Sequence, residues 1–335
     1  MKEHQAVLEI KNLKKWYKSR VPAGNRSLRT VKKDVKAVDG VSLELQKGEI
    51  LGIIGESGCG KSTLGKLITM LETRSSGEIL IDGVPIDRIF KEDPLHYRRK
   101  VQMIFQNPFD TFDPRKTIED ILQHIIKLHG IGSSRSERSS IITEALEDVG
   151  LRPAEKFKER YPHELSGGQL QRISILRAML LSPEVLVADE SVSMLDVSVR
   201  AEIINILKEL ARKNDTAVIF ISHDINTTSY IADNIAVMYL GEIVEAGPTE
   251  DVINHAEHPY TKVLLSNSVS IDSDTEQEPI KISGEPPSPI DNGPGCYFAP
   301  RCYMAKEVCF QEHPTNKHVE ENHIAACHFA TELKE

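Results

Sequence analysis

The stretch Gly55-Glu56-Ser57-Gly58-Cys59-Gly60-Lys61-Ser62 constrains this chain more than any other. Its spacing, G-x-x-x-x-G-K-S, is that of a loop that wraps phosphate groups in backbone N–H donors. An apolar run at residues 50–54 precedes it and reads as a buried strand, and residues 63–71 suit a helix. Glycines let the backbone turn tightly enough for successive N–H groups to face one centre. The start of the following helix adds partial positive charge. Lys61 is expected to reach the β- and γ-phosphates and Ser62 to ligate Mg²⁺. Gly55, Ser57, Gly58, Cys59, Gly60 and Thr63 complete the expected nucleotide contacts.

What surrounds the loop decides what the nucleotide is for. Residues 101–105, 185–188 and 217–221 are further apolar runs, and each precedes or follows a helical pattern. Buried strands alternating with helices predict an α/β fold with helices on the faces of a parallel sheet. In such sheets ligands gather at the C-terminal strand ends. Gln106, Asp189 and His223 lie at or just past the ends of these three strands. Asp189 suits the Mg²⁺-associated acid, and Glu190 the general base that polarises an attacking water. His223 is placed to reach a γ-phosphate or the water, and Gln106 to sense Mg²⁺ or water. Tyr17 offers a face for adenine stacking, with Trp16 as the rival.

Leu165-Ser166-Gly167-Gly168-Gln169 opens a second helix with an anion-binding start. Ser166 suits an N-cap, and two glycines allow close approach to Ser166, Gly167, Gly168 and Gln169. One phosphate loop and one such helix end on a single chain predict a head-to-tail pair, each site drawing on both chains.

Composition narrows the class. A net charge of −9 argues against a general nucleic-acid binder. No apolar run approaches the ~18–20 residues that span a bilayer, and the first residues carry no secretory signal. A cytosolic chain reaching a membrane through partners is expected. Residues 18–33 hold six Lys or Arg and no acid, and read as a basic surface loop. Residues 266–289, polar, acidic and Pro-rich, read as a linker. Beyond it lie Cys296, Cys302, Cys309 and Cys327, spaced C-x5-C-x6-C-x17-C. Four thiolates hold an iron–sulfur cluster or a zinc ion, though the close pairs of common zinc modules are missing. His323 and His328 are nearby substitute ligands, and free packed thiols remain an alternative.

Together these motifs resemble the ATP-binding subunits of ABC transporters. The resemblance implies Walker A at 55–62, the Q-loop at Gln106, the signature at 165–169, Walker B at 186–190, the D-loop at 193–196 and the switch histidine at His223. It implies an ABC ATPase core over residues 1–265 with an antiparallel β subdomain and a helical subdomain inserted at about 107–182. A small cysteine-containing extension follows at 290–335. More closely, residues 37–42, 160–164, 258–261 and the cysteine tail look like the oligopeptide/dipeptide importer subfamily, and the basic stretch after Tyr17 like its second (F-type) ATPase. That implies ATP hydrolysis driving peptide import, in a heterodimer of two ATPases under two permease subunits on the cytoplasmic face, fed by an extracytoplasmic solute-binding protein. It also implies a [4Fe–4S] cluster on the four tail cysteines. Nickel or metallophore import shares the subfamily, and a soluble non-transport ATPase is the rival class. Ser191 stands where the family usually has Pro, and Met194 where it has Ala.

Overall fold

The computed structural model describes residues 6–22, 30–267 and 280–331, apart from 283, 285, 286, 288 and 291. The chain divides into two compact units. One takes residues up to 8, 45–50 and 80–221, and the other takes 9–44, 51–79 and 222 onward.

The first unit is built on three parallel strands. Val101–Ile104 pairs with Val185–Asp189, and that strand with Ala217–Ser222. The last two strands are buried at every residue. This explains their unbroken apolar runs, since a parallel strand covered on both faces has no polar side to show. The inserted helices Ile118–Leu128, Arg135–Asp148 and Gly167–Met179 start where short polar side chains cap them. Thr117 accepts from the Asp120 N–H, and Ser134 from the Glu137 N–H. Residues 130–134, with Gly130 and Gly132 at positive φ, separate the first two helices. Ile118, Leu122, Ile126, Ile142, Leu146 and Leu170 close their shared core.

In the second unit Ile50–Ile54 runs parallel to Asn234–Tyr239, with Leu51 opposite Asn234 and Ile54 opposite Val237. Asn234–Tyr239 turns back at Gly241 into the antiparallel strand Glu242–Pro248. The tail then extends the same sheet: His323–Ala325 pairs with Glu242–Pro248 and with Lys317–Glu320. The composition shift at 266–289 marks a change in the chain, but gives no sign that the tail returns to the sheet. Residues 268–279 of that expected linker lie outside the described residues.

The basic stretch differs from expectation. Leu8–Pro22 and Thr30–Leu45 are two long strands. Residues 18–22 and 30–33 are therefore extended backbone rather than loop, and 23–29 lie outside the described residues. Lys and Arg disfavour no backbone pairing when their side chains reach water, and edge strands often carry them. Among the described residues, no helix is long and apolar enough to cross a membrane.

Candidate functional site

The second unit holds the phosphate loop. Helix Lys61–Ile68 starts directly on Gly60, whose φ of 111° is open only to glycine at low cost. A Cβ on Gly60 would stand 2.0 Å from the Ala37 carbonyl oxygen, and one on Gly55 2.2 Å from that of Met238. Backbone packs on both glycines, so the loop is clamped from outside. The Gly241 N–H donates to the Cys59 carbonyl at 2.8 Å and ties the loop to the hairpin behind it. Lys61 is only 4% exposed, and its Nζ donates to the carbonyls of Gly55 (2.7 Å) and Glu56 (2.9 Å). The ammonium thus lies folded back across the loop rather than out in solvent. Cys59 is buried beside it, and burial pushes its thiol above the usual range.

Tyr17 and Trp16 alternate on one strand and have different surroundings. Trp16 donates its indole N–H to Asp39 at 3.1 Å, with Lys14 and Lys36 over its ring. Tyr17 is 37% exposed, and its hydroxyl donates to Glu72 at 3.1 Å and meets the Thr63 side chain. Lys15, donating to Glu72, holds that carboxyl down at about 2, so the anchor of Tyr17 stays ionised at neutral pH. Tyr17 is the more exposed of the two, next to the helix that leaves the loop, and Lys15 Nζ lies 4.6 Å from its ring centre. His223, the other candidate in this unit, is exposed just past Ala217–Ser222.

The first unit brings Gln106 and Glu190 together: the Gln106 amide donates to Glu190 Oε2 at 2.9 Å. Asp189 ends its strand 8% exposed. Glu190 turns out of the strand with φ at 45°, a left-handed conformation that costs a non-glycine residue of order 1 kcal/mol or more. Its N–H is held by the Ile221 carbonyl at 2.9 Å, and its carbonyl accepts from Ser193. The carboxylate is thus aimed by backbone anchors and gripped by one amide. Ser191 is buried, and its hydroxyl has no hydrogen-bond partner among the described residues.

The signature forms a reciprocal cap. Ser166 Oγ accepts from the Gln169 N–H at 3.3 Å, while Gln169 Oε1 accepts from the Ser166 N–H at 3.1 Å. Gln169 therefore spends its side chain on the helix start. Gly168 packs so closely on the helix Val197–Lys213 that a Cβ would meet Val199 Cγ1 at 2.7 Å. Ser166, Gly167, Gly168, Met194 and Asp196 line a cavity of about 370 Å³. At its edge Met194 and Val197 are 66% and 79% exposed.

In the tail the cysteine sulfurs meet backbone donors. Cys302 Sγ accepts from the Met304 N–H at 3.4 Å, Cys296 from Phe298 and Ala299, and Cys327 from Phe329 and Ala330. Burial raises all three thiols, Cys296 to about 11, and each also feels a neighbouring thiol. Cys309 is buried, and its carbonyl accepts from the Cys296 N–H at 2.8 Å. Among the described residues, no group of three or more His, Cys, Asp or Glu side chains is arranged to hold a single metal ion. The two histidines weighed as substitute ligands have other partners: His323 Nε2 lies 2.9 Å from buried Glu245, and His328 Nε2 3.0 Å from the Glu312 carbonyl.

Sequence reasoning missed Arg301, which binds Glu56 inside the phosphate loop, and Tyr260, whose hydroxyl accepts from the Glu56 N–H at 2.7 Å. Both lie in stretches that carry the subfamily resemblance, but nothing local assigns them a role, because Glu56 occupies an unspecified position of the motif.

Comparison with known proteins places these features. A family profile described as "ABC transporter" matches residues 38–193, and one described as "Oligopeptide/dipeptide transporter, C-terminal region" matches residues 244–309. The dipeptide transport ATP-binding protein DppF of Haemophilus influenzae is 41% identical over 327 residues, 98% of each chain. The oligopeptide transport ATP-binding protein AppF of Bacillus subtilis is 42% identical over 328 residues, 97% of each. Among solved structures, the ATP-binding cassette MJ0796 in a dimeric post-hydrolysis state with ADP and Pi superposes with a TM-score of 0.62 at 28% identity. It covers 72% of this chain and 98% of that one.

Proposed function

Since the chain belongs to the ABC transporter family of ATPases, we propose that it drives peptide import as one of two ATPase subunits beneath a pair of membrane permeases. The observation that carries this reading is the extent of the likeness. It runs through the tail as well as the nucleotide-binding region, and the relatives are named for dipeptide and oligopeptide transport. In this reading the chain sits on the cytoplasmic face as the second, F-type ATPase of a heterodimer, and an extracytoplasmic solute-binding protein delivers the peptide.

The substrate is MgATP. The amides of residues 55–62 and the Lys61 ammonium neutralise its β- and γ-phosphates, Ser62 and Asp189 serve the Mg²⁺, and Tyr17 stacks on the adenine. Glu190 takes the proton of the attacking water, with Gln106 orienting its carboxylate and His223 facing the γ-phosphate. Ser166, Gly167 and Gly168 act on the partner's ATP, so closing the pair completes two sites and hydrolysis reopens it. Exposed Met194 and Val197 fit a surface that a second ATPase covers.

Affinity purification of the full chain from detergent-solubilised membranes tests the assembly. Two integral membrane proteins and a second ATPase are expected in the eluate. A chain recovered with no membrane partner contradicts it.

The reading extends to the tail, where Cys296, Cys302, Cys309 and Cys327 are proposed to hold a [4Fe–4S] cluster. Its donors are four thiols, and three of them receive N–H groups of the kind that stabilise sulfur anions. Such a cluster would supply a rigid anchor for the tail. Anaerobic purification is expected to yield a brown chain with about four iron atoms and about four sulfides, reduced sharply in Cys309→Ser. A colourless, iron-free wild type contradicts the cluster.

A further inference from the structure

The second residue of the phosphate loop is a carboxylate. Glu56 stands among amides meant for an anion, and its own charge opposes phosphate binding. The tail supplies the remedy. Arg301 grips Glu56 through a two-pronged pair, Nη1 to Oε2 at 2.8 Å and Nη2 to Oε1 at 3.1 Å. The Arg301 side chain is 6% exposed and that of Glu56 27%, so water screens this pair poorly.

The grip is stiff at both ends. Arg301 closes the 3-10 turn Ala299–Arg301, and its N–H donates to the Phe298 carbonyl at 2.9 Å. Phe298 packs against Tyr239 and Tyr260 with ring centres 5.2 and 5.4 Å apart. Tyr239 accepts a further bond from Arg301 Nη1, and Tyr260 takes the Glu56 N–H. The Glu56 carbonyl receives Lys61 Nζ. One residue therefore links the tail guanidinium to the loop lysine.

We propose that Arg301 is a positioning residue for ATP: it cancels the charge of Glu56 and fixes the loop around it, making the tail a working part of the nucleotide site. This rests on the family's role for residues 55–62 in binding ATP, and is independent of what the cysteines hold. The electrostatic part distinguishes it from simple bracing. Removing Arg301 strands a negative charge beside the phosphates, and removing Glu56 as well takes that charge away.

The test uses the full-length chain, a fluorescent methylanthraniloyl ATP with Mg²⁺, and thermal melting without nucleotide to confirm folding. Arg301→Ala is expected to weaken binding by about tenfold or more. Glu56→Gln should stay within about threefold of wild type. The double variant Glu56→Gln/Arg301→Ala should recover to within about threefold of Glu56→Gln. Should Arg301→Ala fail to fold, Arg301→Gln, which keeps length and polarity, enters the same comparison. Binding by the single arginine variant within about twofold of wild type overturns the proposal. So does a double variant as weak as the single one, which would make Arg301 only a brace. Failure of the wild type to bind the analogue would instead overturn the nucleotide role of residues 55–62.

Discussion

Glu190→Gln is expected to bind ATP as the wild type does and to hydrolyse it about 10²–10⁴-fold more slowly, the usual contribution of a general base. The substitution keeps the shape of the side chain and removes only the basicity. Binding survives because the loop amides and Lys61 belong to other segments. The left-handed backbone at Glu190 and its bond to the Ile221 carbonyl aim the side chain whatever its charge. Gln106 remains able to reach an amide oxygen in place of Oε2. With hydrolysis blocked, the ATP-bound pair of ATPases should persist, so the variant complex should hold nucleotide and stay closed. Phosphate release by the purified complex, alongside retained labelled ATP, measures both. Turnover near the wild-type rate would remove Glu190 from the role of base.

Gly60→Ala should abolish measurable ATP binding or unfold the loop, whereas Gly58→Ala should be mild. The two glycines have similar sequence surroundings and opposite physical ones. At Gly60 a Cβ meets the Ala37 backbone oxygen at 2.0 Å with φ at 111°, so two segments of main chain must separate. Backbone clash and strain together cost about 3 kcal/mol or more, which is a factor of about a hundred or greater in affinity if the loop opens to relieve it. At Gly58, φ is 81° but a Cβ finds nothing within 4 Å among the described residues. Only the conformational strain of about 1 kcal/mol remains there. Titration with labelled ATP and a melting curve on each variant separate the cases. Equal losses at both positions would mean that loop flexibility, not packing, decides.

How much of this was legible in the sequence depends on the range of the interaction. The phosphate loop, the capped signature helix and the acidic strand end were readable because each is written in consecutive residues under local constraint. The apolar runs at 185–188 and 217–221 announced covered strands for the same reason. Trp16 and Tyr17 could not be told apart, since neighbours on a strand point to opposite faces, and a distant partner, Asp39, engages Trp16. The basic stretch looked like a loop because charge and Pro22 outweighed backbone pairing that the sequence does not display. The Glu56–Arg301 pair was invisible: its partners are 245 residues apart, and no periodicity connects them. Likewise the pairing of His323–Ala325 with Glu242–Pro248 joins segments with no shared pattern. Contacts made by the tail are thus where structure adds most to the reading of function.

Peptide import is tested most directly in proteoliposomes that contain the whole complex, with the solute-binding protein and a labelled tripeptide on the outer side and ATP enclosed. Peptide accumulation is expected with wild-type chain, with ATP consumed in step, and both should fall to background when Glu190→Gln in this subunit is combined with loss of the corresponding general base in the second ATPase. ATP hydrolysis that proceeds without any peptide uptake, or uptake that persists when neither subunit hydrolyses ATP, would contradict it.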